Sequence, residues 1–329
     1  MNSGTNSKSS KSALRRKLNA WFSPAGLRRW MGKVTGDADR IGREWLLVDG
    51  KRLRPMLTAT VYTLLKPQED PKRIAPVAIA VECFHKASLV HDDIEDGDAE
   101  RYQMPTVHAR YGVPSAINAG DWLLGEGYRL LSESPFSVPV RCELLRIAAN
   151  GHKELARGQG EELAFCRAPH EISTEEVFDI YRRKTGAAFE VAMQCGAAAA
   201  GLDKKQREAL SEFSLNWGTL FQTDDDMDDL HGEAGRRSDI LALRPTLFLA
   251  EACRSEDAEV RRWISADWQT DRKVREKLLL AILRSDISAR VMEARREQAN
   301  RLRKSLLGIR NRRLRDFLEK FMPTSSEDA

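Results

Sequence analysis

Two groups of aspartates, at residues 92–96 and 225–229, have a spacing that suits metal binding. In a helix of 3.6 residues per turn, the first and last carboxylate of each group lie one above the other, with the middle one beside them. Carboxylates held this close repel one another, and Mg²⁺ would convert that repulsion into binding. The candidate ligands are Asp92, Asp93 and Asp96 in the first group and Asp225, Asp226 and Asp229 in the second.

Each group alone has simpler interpretations. An acidic helix end exposed to water is one of them. The doublet His91-Asp92 is also typical of His-Asp metallophosphohydrolases, although the sequence offers no convincing partner ligands for that chemistry. Two groups with the same spacing are less expected by chance than one. If they face each other across a helical bundle, they would hold several Mg²⁺ ions and a diphosphate.

The segments that carry the aspartates have helical patterns. From Pro76 to Asp96, and again from Asn216 to Leu230, apolar or small residues recur at helical spacing and lead into the carboxylates. Prolines and glycines separate further periodic segments, and alternating β-branched runs are absent. The sequence therefore predicts an all-α fold, a single helical bundle over residues 37–322, and a polar tail at 323–329.

Composition narrows the class of protein. Of 329 residues, 42% are hydrophobic and 31% are charged, with a formal net charge of +4, which suits a globular protein and does not favour a nucleic-acid partner. The five cysteines have no paired spacing, so we expect reduced core residues in a cytoplasmic protein. No apolar stretch is long enough to span a bilayer or to form a signal-peptide core.

The basic excess lies at the start of the chain, since residues 1–36 contain eight lysines and arginines and no acidic residue. The first dozen residues are polar, and we expect this segment to be partly disordered. Between residues 13 and 34, apolar and basic residues alternate. This pattern fits a helix on an anionic membrane surface, a helix docked on the main domain, or a targeting segment.

The motifs of this chain, taken in order, resemble those of the polyprenyl synthetase family, the trans-isoprenyl diphosphate synthases. The resemblance covers residues 50 to 250, with a weaker helical match beyond. It rests on Gly50-Lys51-Arg52-Leu53-Arg54-Pro55, Ser88 to Asp96, Pro105 to His108, Gly120-Asp121, Gly158-Gln159, Lys184-Thr185-Gly186, and Gly218 to Gln222 leading into the second aspartate group.

The resemblance implies an all-α isoprenoid synthase fold, a homodimer, and a reaction that lengthens an allylic diphosphate with isopentenyl diphosphate. Three Mg²⁺ ions per site would make the allylic diphosphate a leaving group. The family pattern assigns the remaining roles residue by residue. Asp92, Asp93, Asp225, Lys184, Thr185 and Gln222 would act in catalysis, while Lys51, Arg54, His85, Arg101, Tyr102, Arg236 and Arg244 would bind substrate.

Two departures from the family pattern bear on the second substrate. The family has two adjacent arginines and a glycine where this chain has Arg101-Tyr102-Gln103, so we expect weaker binding of isopentenyl diphosphate or a different second substrate. The usual lysines after the second aspartate group are replaced, with Arg236 and Arg244 retaining charge. A terpene cyclase-like enzyme and a non-catalytic synthase subunit therefore stay open as alternatives.

Product length is predicted from residues before the first aspartate group. Ala87 and Ser88 are small, and Phe84 lies one turn deeper. In this family these positions form the floor of the chain pocket, so the resemblance implies a product of about C20 or longer.

Overall fold

The structure, a computed structural model, describes residues 14–48, 50–231 and 239–322, and these are almost entirely helical. The prediction of an all-α chain is confirmed. In the described residues, the one exception is a small antiparallel hairpin of β1 (Glu100–Arg101) and β2 (Met104–Pro105). The chain separates into two compact units, which hold residues 1–149 with 191–207 and residues 150–190 with 208–329.

Unit 1 contains the first aspartate group and is built on one buried helix, α5. This helix is apolar on nearly all sides because neighbouring helices surround it, and its first turn accepts Pro76 at a position where no backbone donor is needed. The helices of this unit are α1 (14–21), α2 (Pro24–Met31), α3 (Asp37–Leu47), α4 (Leu53–Leu65), α5 (Ala75–Asp96), α6 (Val107–Tyr111), α7 (Val113–Ser132), the first part of α8 (Val138–Arg167), most of α10 (Ala187–Ala199) and the first turn of α11 (Lys204–His231).

The expectation that no segment is long and apolar enough to span a bilayer is wrong by length and composition for one described segment, Pro71–Asp96, but 83% of its apolar window is buried. It comprises a short 3₁₀ turn at Pro71–Ile74 and helix α5. The burial is that of a core helix in a soluble protein. Of the cysteines, Cys83 on α5 is buried, whereas Cys142 on α8 is exposed, so the expectation that all five are core residues is wrong for Cys142. Its position on the outer side of α8 accounts for the difference.

The described part of the basic N-terminal segment is helical and docked. Leu18, Trp21 and Leu27 of α1 and α2, and Phe22 in the turn between them, are all less than 7% exposed. The basic residues between them face outward. Ser23 caps α2 by accepting a hydrogen bond from the Gly26 amide at 3.1 Å. Since the apolar side chains are already covered, burial in unit 1 accounts for the pattern of alternating apolar and basic residues.

Unit 2 contains the second aspartate group and its own apolar core, centred on Trp268, Phe248 and Leu278. A π-helical turn, Arg182–Gly186, joins α9 to α10 and carries the Lys-Thr-Gly motif. The helices of this unit are the rest of α8, α9 (Thr174–Tyr181), the start of α10 (Ala187–Ala199), most of α11 (Lys204–His231), α12 (Leu247–Cys253), α13 (Ala258–Ile264), α14 (Arg272–Arg284), α15 (Ile287–Leu306) and α16 (Arg312–Leu318), which a 3₁₀ turn follows at Glu319–Phe321.

Candidate active site

The first aspartate group occupies the last turn of α5, which ends at Gly97 with a left-handed φ of 67°. Asp92 and Asp96 are partly exposed, whereas Asp93 is 1% exposed. Asp93 Oδ1 accepts a hydrogen bond from Arg101 Nε at 2.5 Å. Its other carboxylate oxygen is buried and has no hydrogen-bond partner among the described residues. Burial raises the pKa of Asp93, while the adjacent Arg101 guanidinium opposes that rise.

Arg101 reaches Asp93 from the β1–β2 hairpin. The two residues at the tip of this hairpin, Tyr102 and Gln103, have φ values of 55° and 62°, as a two-residue turn of the mirror-image type requires. Neither is glycine, so each adopts a left-handed conformation at a steric cost of about 1 kcal/mol or more. Arg101 therefore contacts Asp93 from a hairpin whose turn residues, Tyr102 and Gln103, do not favour the turn conformation.

The Gly120-Asp121 motif lies beside His91, the residue before the first aspartate group. A Cβ at Gly120 would be only 2.4 Å from His91 Nε2, so a side chain there would displace the imidazole. Asp121 Oδ1 lies 3.8 Å from the same nitrogen. The motif therefore makes room for His91 and supplies it with a carboxylate neighbour.

The predicted contacts to isopentenyl diphosphate form a basic group in unit 1. Arg54 Nη1 and His85 Nε2 are 3.2 Å apart, and Lys51 is exposed at the start of the same segment. Burial lowers the pKa of His85 well below its usual value, and the neighbouring cations Arg54, Lys86 and Arg101 lower it further. His85 is therefore neutral near pH 7. Its Nε2 accepts the hydrogen bond from Arg54, which leaves the Nδ1 proton to donate.

The second aspartate group lies near the end of α11, and the accessibility of its members repeats that of the first. Asp225 is exposed, Asp229 is partly exposed and Asp226 is 4% exposed. Asp226 Oδ2 accepts a short hydrogen bond from the Tyr181 hydroxyl and a longer one, 3.4 Å, from the Leu247 amide. Burial raises the pKa of Asp226 well above its ordinary value, and the Tyr181 hydrogen bond partly opposes this.

The Lys-Thr-Gly turn lies beside α11 because glycines allow backbones to approach. A Cβ at Gly218 would be 2.5 Å from the Gly186 Cα, so any larger residue would separate the two segments. The Thr185 hydroxyl donates a hydrogen bond to Gln222 Oε1 at 2.7 Å. Lys184 Nζ lies 2.7 Å from Glu162 Oε1 on α8. Thus the structure brings together three of the residues predicted for this half of the site.

The segment after α11 is described only in part, and Arg236 lies outside the described residues. Asp239, which follows, donates its backbone amide to Asp229 Oδ2 at 2.9 Å and receives Arg244 Nη1 on its carboxylate at 3.2 Å. Burial raises the pKa of Asp239 to about 6, and Arg244 opposes the rise. Asp239 therefore connects Arg244 to the second aspartate group: Arg244 orients the Asp239 carboxylate, and the Asp239 amide contacts Asp229.

The donor set fits Mg²⁺. All six candidate ligands are carboxylates, the hard oxygen donors that this ion prefers. Among the described residues, no three acidic, histidine or cysteine side chains converge closely enough to hold a metal ion by themselves. Mg²⁺ commonly takes one or two carboxylates with waters and substrate phosphates, and the accessible first and last aspartates of each group match that need.

Several residues of the site were not predicted from the sequence. Tyr181 holds Asp226, Glu162 holds Lys184, and Arg295 of α15 donates to Asp224 Oδ1 at 2.6 Å. The partners in these pairs are between 22 and 71 residues apart. No local spacing links them, so only the packing of the helices reveals them.

Comparison with known proteins gives the same family throughout. The sequence model of polyprenyl synthetase matches residues 39–282. The short chain isoprenyl diphosphate synthase of Methanocaldococcus jannaschii is 36% identical over 222 residues, which cover 66% of this chain and 66% of that relative. The chain thus spans just under two thirds of the length of that curated relative.

Solved structures share the fold over nearly the whole chain. The geranylgeranyl pyrophosphate synthetase of the archaeon Geoglobus acetivorans matches with a TM-score of 0.76 and 25% identity, over 96% of this chain and 99% of that one. The polyprenyl synthase of Caulobacter crescentus, solved with calcium and isoprenyl diphosphate, matches with a TM-score of 0.78 and 24% identity, over 94% of this chain and 93% of that one. This protein therefore belongs to the polyprenyl synthetase family and has its all-α isoprenoid synthase fold.

Proposed function

We propose that this protein is a Mg²⁺-dependent prenyltransferase that condenses isopentenyl diphosphate with an allylic diphosphate by ionisation, condensation and elimination. The observation that carries the proposal is the same arrangement at both aspartate groups. In each, the outer two carboxylates are accessible and the middle one is buried against a polar side chain. Surface acidic residues have no need of such supports, whereas metal ligands commonly have them.

The accessible aspartates are the proposed metal ligands, and the buried ones hold them in place. Asp92 and Asp96, with Asp225 and Asp229, would bind Mg²⁺, three ions per site with substrate present. Bound Mg²⁺ supplies charge neutralisation to the leaving diphosphate. Asp93 and Asp226 complete the proposed set, and their buried positions orient the ends of α5 and α11. Arg101, paired with Asp93 in this structure, lies where it can also bind a diphosphate oxygen.

The Lys-Thr-Gly turn and Gln222 are the groups proposed to act on the allylic cation and the departing diphosphate. The Thr185 hydroxyl donates its proton to Gln222 Oε1, so the lone pairs of the Thr185 oxygen point away from Gln222. Oxygen dipoles so fixed stabilise a developing allylic cation without having to reorganise. Glu162 holds the Lys184 ammonium in position, and Lys184 can then attract the departing diphosphate.

Isopentenyl diphosphate would bind at the basic group of unit 1. Lys51, Arg54 and His85 supply the donors, and the position of Tyr102 is part of the same surface. A neutral His85 donates one hydrogen bond without adding to the repulsion among the nearby cations. After the second aspartate group, Arg236 and Arg244 are proposed to assist with the allylic diphosphate.

We extend the proposal to product length, since relatives with the same fold are named for geranylgeranyl products. The Phe84 ring packs on Tyr128 with ring centroids 5.0 Å apart, and its edge occupies the space that a Cβ at Gly127 would need. Ala87 is fully buried and small. We expect a product of about C20 or longer, with Phe84 as the residue that ends elongation.

We also propose that the protein is a cytoplasmic homodimer. Val113 and Ile117, one turn apart on α7, are 43% and 46% exposed, which supplies apolar surface for a second copy. The exposed basic residues of α1 and α2 would allow peripheral contact with an anionic membrane. Light scattering tests the first point, and liposome flotation of the intact chain tests the last.

The test of the activity is incubation with Mg²⁺, isopentenyl diphosphate and C5, C10, C15 or C20 allylic diphosphates. Longer prenyl diphosphates are the expected products. Tyr102, in place of the second arginine, favours a terpene cyclase-like enzyme as the alternative. Hydrocarbon or alcohol formed from the allylic substrate alone would support that alternative. No turnover with any primer would support a non-catalytic subunit.

A further inference from the structure

A polar cavity lies in unit 2 between α9, α11, α12 and α15, and its described lining includes no residue proposed for catalysis or substrate binding. Its volume is about 620 Å³, within the range of small-molecule sites. The least exposed lining residues include Asn216 and Thr219 of α11 and Gln298 of α15, which are 8%, 3% and 3% exposed. Polar side chains buried this deeply need hydrogen-bond partners, so their unused groups indicate what the cavity binds.

The Asn216 and Gln298 side-chain amides leave one donor group and one acceptor unused. Gln298 Nε2 lies 3.1 Å from the Asn216 carbonyl oxygen and 3.2 Å from Asn216 Oδ1. Because a backbone carbonyl only accepts, the first bond identifies the Gln298 nitrogen, and the atom that it meets on the Asn216 side chain is then the oxygen. Asn216 Nδ2 and Gln298 Oε1 have no hydrogen-bond partner among the described residues, and neither atom is closed off from solvent. Both groups therefore open into the cavity that their residues line.

Two exposed arginines in the lining supply positive charge. Arg182, at the start of the π-helical turn, and Arg301, on α15, make no ion pair or side-chain hydrogen bond with any residue that the structure describes. The charge of Arg182 lowers the pKa of Glu190, although the two side chains are not paired. Guanidinium groups bind phosphate oxygens, often two at a time. The two arginines can therefore bind a phosphate that enters from solvent.

Carboxylates in the same lining limit the charge of the ligand. Glu251 Oε1 accepts a hydrogen bond from the Thr174 hydroxyl at 2.9 Å and lies 4.0 Å from Arg254 Nη1, and Glu175 and Glu297 also line the cavity. Their negative charge disfavours a diphosphate without Mg²⁺ and leaves a monophosphate as the better fit. The other charged lining residues are in ion pairs, namely Asp179 with Arg183, Arg290 with Asp286, and Glu293 with Arg296.

We propose that this cavity is a second ligand site, for a small organic monophosphate whose head group has adjacent hydrogen-bond donors and acceptors, as an adenine nucleotide has. Gln298 Oε1 accepts from the amino group of the base and Asn216 Nδ2 donates to a ring nitrogen, the two contacts that an amide makes with adenine. The partly buried Phe178 ring supplies apolar lining for the base. Arg182 and Arg301 bind the phosphate. Binding at this site does not depend on the proposed function.

Occupancy of the cavity should affect the Lys-Thr-Gly turn. Arg182 is the first residue of the π-helical turn that carries Lys184 and Thr185, so a phosphate bound to Arg182 constrains the backbone from which these two side chains project. A ligand changes turnover when it favours one arrangement of such a turn over another. We therefore expect adenosine monophosphate to change kcat by about twofold or more, and this effect, unlike the binding, rests on the proposed function.

A cavity that holds only water is the competing explanation. Water can satisfy Asn216 Nδ2 and Gln298 Oε1, and exposed arginines need no partner. In that case the base and the phosphate of a nucleotide would contribute nothing to affinity, and substitution of Arg301 would not change binding. The two explanations therefore differ in a binding measurement that needs no turnover.

The test is calorimetric titration of the intact chain with adenosine monophosphate in the absence of Mg²⁺. We expect a Kd below about 1 mM. Ribose 5-phosphate and adenosine should each bind about tenfold more weakly, because each lacks one half of the contacts. Arg301→Gln should weaken binding of the nucleotide by about tenfold. The control Lys304→Gln removes a charge from an exposed position on the same helix and should stay within about twofold. No binding, equal binding of ribose 5-phosphate, or an unchanged Kd in Arg301→Gln overturns the proposal.

Lys51→Gln separates this cavity from the proposed active site, since Lys51 is an exposed residue of the proposed isopentenyl diphosphate site. We expect its Kd for adenosine monophosphate to match that of the natural chain. A weaker affinity in Lys51→Gln would place the nucleotide at the active site and overturn the proposal. Arg301→Gln should keep its basal kcat within about twofold and lose the response to the nucleotide. Nucleotide binding that depends on Arg301 in a chain without prenyl transfer would support this site and count against the proposed function.

Discussion

The two aspartate groups have the same spacing but different supports. Asp93 is held by a charged residue eight positions away, Arg101, on a small exposed hairpin. Asp226 is held by the neutral hydroxyl of Tyr181, 45 positions away, and by the Leu247 amide, inside the core of unit 2. The first support is local and ionic, and the second is long-range and neutral. A repeated motif therefore does not imply a repeated set of supporting residues.

This difference has a consequence for binding. A guanidinium can exchange a carboxylate for a diphosphate oxygen with little change in charge, so the support of Asp93 can also become a substrate contact. A buried phenol has no comparable second role, and its hydrogen bond fixes Asp226 permanently. We expect the first group to respond to substrate and the second to act as a rigid metal platform.

The largest effects should come from the accessible aspartates, where the two groups are expected to be alike. Asp92→Asn and Asp225→Asn should each lower kcat by about 1,000-fold, because each removes a charged Mg²⁺ ligand from the leaving-group site. Chelation with EDTA should abolish turnover, and added Mg²⁺ should restore it. The control is Asp228→Asn, an exposed neighbour outside the proposed set, which should stay within about threefold. A small loss in one group only would show that the two are not equivalent.

The next effect separates the two supports. Arg101→Gln removes the partner of a buried carboxylate, so we expect a loss of about 3 kcal/mol in the free energy of unfolding. It should also raise the Michaelis constant for the allylic diphosphate by about tenfold or more. The double variant Arg101→Gln/Asp93→Asn removes the buried unpaired charge. Denaturant titration should show its stability largely recovered. Steady-state kinetics should show a weaker affinity for the allylic diphosphate than in Asp93→Asn alone. Equal affinities in those two variants would confine Arg101 to a structural role.

Tyr181→Phe tests the neutral support and should have a smaller effect. Asp226 keeps the Leu247 amide but loses its phenolic donor, so the Mg²⁺ concentration for half-maximal activity should rise by about tenfold. The cost in stability should be about 1 to 2 kcal/mol. Tyr62→Phe is the matched control, since Tyr62 is a buried tyrosine that donates to Glu69, a carboxylate outside both aspartate groups. It should show a similar stability loss with no change in Mg²⁺ dependence, and a Mg²⁺ response shared by both variants would contradict the assignment.

The sequence allowed the helices and the motif order to be predicted because the signals are local. Apolar periodicity and the residues leading into Asp92 define α5 almost to both ends. For α11 the pattern gives the end near His231, but the helix begins at Lys204 and not at Asn216. Three features were not predicted, because each depends on how separate segments pack. These are the pairing of Asp93 with Arg101, the pairing of Asp226 with Tyr181, and the burial of Lys86. The hairpin also escaped prediction, since strands of two residues are too short to show alternation.

The smallest effect concerns backbone strain beside each group. Gln103 and Leu243 both have positive φ values, 62° and 61°, and glycine adopts such values without steric cost. Gln103 is exposed, so Gln103→Gly should stabilise the protein by about 0.5 to 1 kcal/mol, the relieved strain less the greater freedom that glycine has in the unfolded chain. Leu243 packs against the core of unit 2, so Leu243→Gly should instead destabilise by about 1 kcal/mol or more, because lost burial outweighs relieved strain. Chemical denaturation measures the change in the free energy of unfolding for both variants. If both variants were stabilised, or both destabilised, the strained residues beside the two aspartate groups would not differ in the way predicted here.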